Sequence, residues 1–149
     1  MTHSCESGGE VVVLWVSRHK PLRAQLEELE KKLGKYRLEI LSGPIPNSEF
    51  VIKKVEELHA CVVIPVLPLS FIARIVESAR QRGFTVLYAK MQLIFEAVKS
   101  DSEAVKHAWK LVREQPERRT AVDYVDRFRV FEFVGFEKII DVKVVTEPW

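Results

Sequence analysis

A three-layer α/β sandwich with a mainly parallel sheet is the fold class this 149-residue sequence predicts. Three observations predict it. Residues 11–16, VVVLWV, and 61–67, CVVIPVL, are almost unbroken apolar runs rich in β-branched side chains, as in strands buried on both faces. Helical spacing takes over after each of them. The resulting order, βαβαβαβ-α-ββ, is that of a sheet built from parallel crossovers, whose right-handedness puts helices on both faces. A flavodoxin-like strand order, 2-1-3-4 with the tail extending one edge, is expected first, and a Rossmann-like dinucleotide-binding order second.

The elements follow in turn. Residues 1–10 form a polar, glycine-containing leader without a signal-peptide core, expected to be flexible, and residues 11–149 form a single domain. After the first strand, Leu22, Leu26, Leu29 and Leu33 recur at helical spacing, with Pro21 in the first turn and Gly34 at the stop. Tyr36 to Leu41 is a second strand, ended by Ser42-Gly43-Pro44. A helix over about 49–59 turns Val51, Val55 and Leu58 inward and has Asn47 or Ser48 as its cap. Pro65 marks the end of the third strand or a bulge in it. Ser70 is the expected cap of a helix over 71–82 that stops at Gly83. Residues 84–89 form a fourth strand, and 92–114 an amphipathic helical region with a second start at Asp101 and an end at Pro116. In the tail, 127–134 and 139–146 are β-rich, either as an antiparallel pair or as one strand bent at Gly135.

Bulk properties narrow the function. Net charge is +2, which disfavours a nucleic-acid binder driven by overall charge. Cys5 and Cys61 form no disulfide framework or zinc-type spacing, and the longest apolar run is far too short to span a membrane. A soluble cytoplasmic protein with no membrane partner is expected. His59 and His107 have no partner at metal spacing, so no metal site is expected, and nothing in the sequence names a cofactor.

Open α/β sheets bind ligands beyond the carboxyl ends of their strands. Four loops then qualify: residues 17–20, 42–48, 65–70 and 90–92. The first is the most distinctive, because Ser17, Arg18, His19 and Lys20 interrupt the passage from a buried strand to a helix. Lys20 before Pro21 is no side-chain cap, so the helix's first amides need a partner. Ser17 folding back would supply one. An anion drawn by the helix dipole, Arg18, His19 and Lys20 would supply another. The plainer alternative leaves Arg18 and Lys20 solvated and His19 bonded to the backbone. Asn47, Ser48, Ser70 and Lys90 are secondary ligand candidates, with capping and snorkelling as their structural explanations.

Motifs for dinucleotide binding, P-loop hydrolysis and the α/β-hydrolase nucleophile are absent. Ser17 and His19, two residues apart in an extended segment, point oppositely and make a poor nucleophile–base pair. The expected function is therefore a binding module for a phosphorylated or nucleotide-like small molecule. The alternatives are a small phosphoesterase or hydrolase using His19, and a non-catalytic protein-interaction or nucleic-acid-associated protein. The cluster Arg113, Arg118, Arg119, Arg127 and Arg129 fits a solvated connection better than a nucleic-acid contact. Phe128, Val130, Phe131, Phe133, Val134 and Phe136 place apolar groups on both faces of the tail, from which a homodimer is expected.

The stretches LWVSRH, VIPVLPLS, VLYAKM and the closing VVTEP resemble a group of small α/β proteins from phages and mobile elements. These pair a Leu-Trp-x-Ser/Thr-Arg-His opening with a Thr-Glu-Pro ending. The resemblance covers most of the chain after the leader and brings no established activity. More remotely, the chain is similar to the Rossmann-like domains that sense cyclic oligonucleotides in defence systems. That likeness implies a dimer with ligand loops at the same sheet edge, and extends to Ser17 and Arg18 only.

Overall fold

The computed structural model describes residue 5 and residues 10–149, a mixed α/β protein of six strands and four helices. These residues divide into two compact units. The first comprises the chain up to Lys20, Leu33–Tyr88 and Glu137–Trp149; the second comprises Pro21–Lys32 and Ala89–Phe136.

In the first unit, β1 (Val11–Val16), β2 (Tyr36–Leu41), β3 (Val62–Pro65) and the start of β4 (Thr85–Val98) lie in the order β2-β1-β3-β4. All three of these pairings are parallel. The continuous apolar runs are thus parallel strands, and Val13, Leu14, Val16, Val63 and Ile64 are almost wholly buried. Between β1 and β2 the register runs from Val11 opposite Tyr36 to Val16 opposite Leu41. Pro65 is accommodated because it pairs with Val16 at the last rung, whereas β4 pairs with β3 only at Val62 and Val63. Its missing N–H therefore falls beyond the β3–β4 ladder.

Leu14, Val16 and Val63 form one core with α2 (Ser48–Leu58) and α3 (Leu69–Arg82). Helix α2 begins as expected: the Asn47 side chain accepts from Phe50 N at 2.9 Å. Ser70 does not cap α3. The helix starts two residues earlier than expected, at Leu69, with Pro68 at the cap position and no side-chain cap. Gly83 closes it at φ 84°, in the left-handed region that glycine enters without steric cost.

The second unit corrects several expectations. Helix α1 (Arg23–Leu33) is present, but its start is not an open set of amides. Leu22 N donates to Gln25 Oε1 at 2.8 Å and Ala24 N to Glu117 O at 2.8 Å. Gln25, buried at 5% exposure, is the capping residue that a search for Ser, Thr, Asp or Asn before the helix misses. Residues 92–98 are not helical, because β4 runs on to Val98. A helix does start at Asp101: its carboxylate accepts from Ala104 N, capping α4 (Ser102–Glu114). The following segment supplies a strand with no clear sequence signal, β5 (Arg119–Asp123). It pairs antiparallel with β6 (Arg127–Lys138), in the order β4-β6-β5. With parallel pairs in one unit and an antiparallel pair in the other, the sheet is mixed rather than mainly parallel.

The tail is a single strand through Gly135, and residues 139–146 are not a strand. Ile139 instead donates its N–H to Val86 O at 2.9 Å, and Ile139 and Val142 pack on the first unit's core. In β6, Val130 and Phe133 are buried, Phe128, Phe131 and Phe136 are half-buried, and Val134 is exposed. Of the six side chains from which a dimer was expected, two are therefore buried within the chain and four remain at least partly accessible. Cys5 and Cys61, expected to be unrelated, are joined in a disulfide with Cα atoms 5.5 Å apart. No helix among the described residues is long and apolar enough to cross a membrane.

Candidate functional site

Beyond the carboxyl ends of β1, β2 and β3 lies a cleft of about 390 Å³, formed entirely within the first unit. Strand β1 sits between β2 and β3, so the chain leaves its end between two diverging connections, where open parallel sheets have room for a ligand. Three of the four expected loops line the cleft. The first brings Ser17, Arg18 and His19; the second brings Gly43 and Ile45; the third brings Val66, Leu67 and Pro68, followed by Phe71 of α3. The ends of β1 and β2 form its floor at Val16 and Leu41.

The first loop is held by its own backbone. His19 N donates to Ser17 Oγ at 3.1 Å, and His19 O accepts from Trp15 Nε1 at 3.1 Å. Trp15 is 4% exposed and Ser17 8%, so both anchors are rooted in the sheet. The side chains of Arg18 and His19 are then free to face solvent and the cleft. Among the described residues, neither the Arg18 guanidinium nor the His19 ring has an ion-pair or hydrogen-bond partner. None of the residues lining the cleft is acidic. Pro68 and Phe71 of the lining belong to the start of α3, which has no side-chain cap and whose dipole presents partial positive charge. The open helix end expected at α1 is not there, because Gln25 Oε1 and Glu117 O close it.

The other candidates separate from this group. Lys20 is exposed and does not line the cleft. Asn47 is engaged in capping α2, and Ser48 is that helix's first residue. Ser70 is exposed in the first turn of α3 and does not line the cleft. Lys90 is not in a loop; it lies within β4, in the second unit. Sequence reasoning missed Val66, Leu67 and Phe71, the apolar wall, because apolar residues next to a strand end read as core. Their signal was position alone, immediately after a strand at the expected edge.

The basic cluster of the second unit has a different character. Arg119 donates to Glu132 Oε1 at 3.0 Å and to Leu111 O at 2.9 Å, and lies 3.7 Å from Glu114. Arg118 reaches Phe133 O at 3.3 Å. Arg127 and Arg129 both bond the Glu96 carboxylate. Hydrogen bonds from Arg127 and then Arg129 hold the Glu96 carboxyl below its ordinary value, and the bond to Glu96 raises Arg129. Arg129 also lies over the Tyr124 ring at 4.8 Å. No group of three or more His, Cys, Asp and Glu side chains suited to a metal ion occurs among the described residues.

Comparison with protein-family models, curated proteins and solved structures finds no match to this chain.

Proposed function

We propose that the cleft binds an anionic small molecule, phosphorylated or nucleotide-like, and holds it without turning it over. The observation that carries this reading is the pair Arg18 and His19. Their backbone is fixed by Trp15 and Ser17, while among the described residues their polar side chains lack partners, in a cleft lined by no carboxylate. The fixed backbone removes the cost of ordering the loop when an anion arrives, leaving only the side chains to be ordered. The Ser17 hydroxyl oxygen accepts from His19 N and, among the described residues, no carboxylate or carbonyl orients the His19 ring, which argues against turnover. The elements of a nucleophile, base and orienter set are not assembled.

A charge-assisted hydrogen bond from Arg18 contributes about 1.5–3 kcal/mol. Arg18→Ala is therefore expected to weaken binding by roughly tenfold or more. Arg18→Lys is expected to recover only part of this, since lysine lacks the bidentate fork. Calorimetric titration of the wild type and both variants with AMP, at fixed low salt, tests the proposal. Equal affinities across the three proteins would overturn it.

A further inference from the structure

We infer that the occupant of the cleft is a phosphate monoester carrying a planar apolar body, with Phe71 as the residue that selects that body. This inference rests on the proposed function, because it takes the Arg18 wall as the phosphate end.

The lining of the cleft is chemically mixed. Ser17, Arg18 and His19 bring polar side chains to the lining, while Ile45, Val66, Leu67 and Phe71 bring apolar ones. Val66 is 57% exposed and Phe71 is half-buried, although β3, to which Val66 is joined, is wholly buried. A bare inorganic anion would use only the polar groups and leave the apolar ones in water. The volume of about 390 Å³ lies in the range of small-molecule sites, roughly 300–1,000 Å³, and exceeds the needs of a single anion. An apolar wall with a few convergent polar groups is the usual composition of a site for an organic ligand. A partly exposed ring at such a wall favours a planar partner, because a flat group covers the accessible part of an aromatic face. Phe71 lies in the first turn of α3, and its N–H is bonded to Pro68 O at 3.0 Å, which fixes the backbone carrying the ring.

The experiment compares inorganic phosphate, phenyl phosphate, AMP and adenosine as calorimetric titrants of the wild type, Phe71→Leu, Phe71→Ala and Arg18→Ala. Fluorescence of Trp15 in a Trp109→Phe, Trp149→Phe background reports occupancy of the first loop through its bond to His19 O. Phenyl phosphate and AMP are expected to bind about tenfold or more tighter than inorganic phosphate, from ring stacking. Phe71→Leu keeps apolar volume and is expected to reduce that ratio several-fold. Phe71→Ala is expected to bring it close to one, with inorganic phosphate affinity unchanged. Arg18→Ala is expected to weaken the three phosphates alike. Equal binding of inorganic and phenyl phosphate, both sensitive to Arg18, would overturn this inference and leave the proposed function standing. Adenosine binding as tightly as AMP, or no binding by any phosphate, would overturn the proposed function and this inference with it.

Discussion

The first loop and the β5–β6 region each concentrate positive charge, yet they use it in opposite ways. Arg18 and His19 extend from a loop whose backbone is tied down, and their own polar groups meet no partner among the described residues. Arg119, Arg127 and Arg129 are bonded to Glu132 and Glu96 within the fold. The sequence contains more arginines in the second region than in the first, so a count of cations points to the wrong place for a site. Neutralisation is the quantity that separates the two. A cation bonded to an internal carboxylate has already spent its electrostatic attraction on folding, whereas one left unpaired beside a cleft retains it for a ligand. The same distinction applies to helix ends, since α1 is closed by Gln25 and Glu117 while α3 has no side-chain cap.

The largest expected effect probes what holds the first unit apart from charge. The Cys5–Cys61 disulfide spans 56 residues of sequence and joins the leader to the residue before β3, at the end of the strand away from the cleft. Loop-closure entropy for that separation corresponds to about 4 kcal/mol of stability. Cys61→Ser is expected to lose roughly 2–4 kcal/mol in urea unfolding while leaving AMP affinity within about twofold. A stability loss under about 1 kcal/mol would mean that the bond does not restrain the unfolded chain. A structural disulfide is at home in oxidising surroundings, so the expectation of a cytoplasmic setting gains nothing from it.

The next effect sets the two arginine environments directly against each other. The Arg119 side chain is 13% exposed and its partner Glu132 22%. Arg119→Met keeps the apolar stem but leaves Glu132 and the Leu111 carbonyl without their donors. We expect a loss of about 2–3 kcal/mol in urea unfolding, the scale of hydrogen bonds to charged groups. Arg18→Ala, at an exposed position, should change stability by less than about 0.5 kcal/mol. If the two substitutions destabilised equally, the contrast between a structural and an available arginine would fail.

The sequence exposed these two environments unequally. Strands β1 and β3 were legible because strands buried on both faces leave a continuous apolar signature, and the sheet-edge rule then located three loops of the cleft. Asn47 and Asp101 were legible as caps because short polar side chains at helix starts act locally. The second unit resisted because its structure is set by distant partners. Leu93, Ile94, Ala97 and Val98 fit helical spacing better than strand alternation, and it is the neighbouring β6 that makes this segment a strand. Strand β5 reads as a polar connection, since Arg119 is internal only by virtue of Glu132, thirteen residues away. The disulfide left no local trace either, because two cysteines 56 residues apart carry no information about proximity.

The smallest expected effect tests whether the second region's charges are committed to the fold, by means of pH. Hydrogen bonds from Arg127 and Arg129 hold the folded-state Glu96 carboxyl below its ordinary value of 4.5. In the unfolded chain those arginines are dispersed and Glu96 titrates near that ordinary value. Between the two values the unfolded state binds more protons than the folded one, so stability rises with pH across that interval. The contribution is complete above about pH 4.5 and is lost as pH falls through the lower, folded-state value. Glu96→Gln removes the titration while keeping an amide oxygen able to accept from one arginine. The stability difference between wild type and Glu96→Gln, measured by urea unfolding from pH 7 down to pH 3, is expected to be constant above about pH 5 and to shrink on acidification. The group is solvent-accessible, so salt should reduce the difference as well. A difference that stayed constant to pH 3 would show that the carboxylate gains nothing from Arg127 and Arg129 on folding. Those two arginines would then be as available to an external anion as Arg18 is proposed to be.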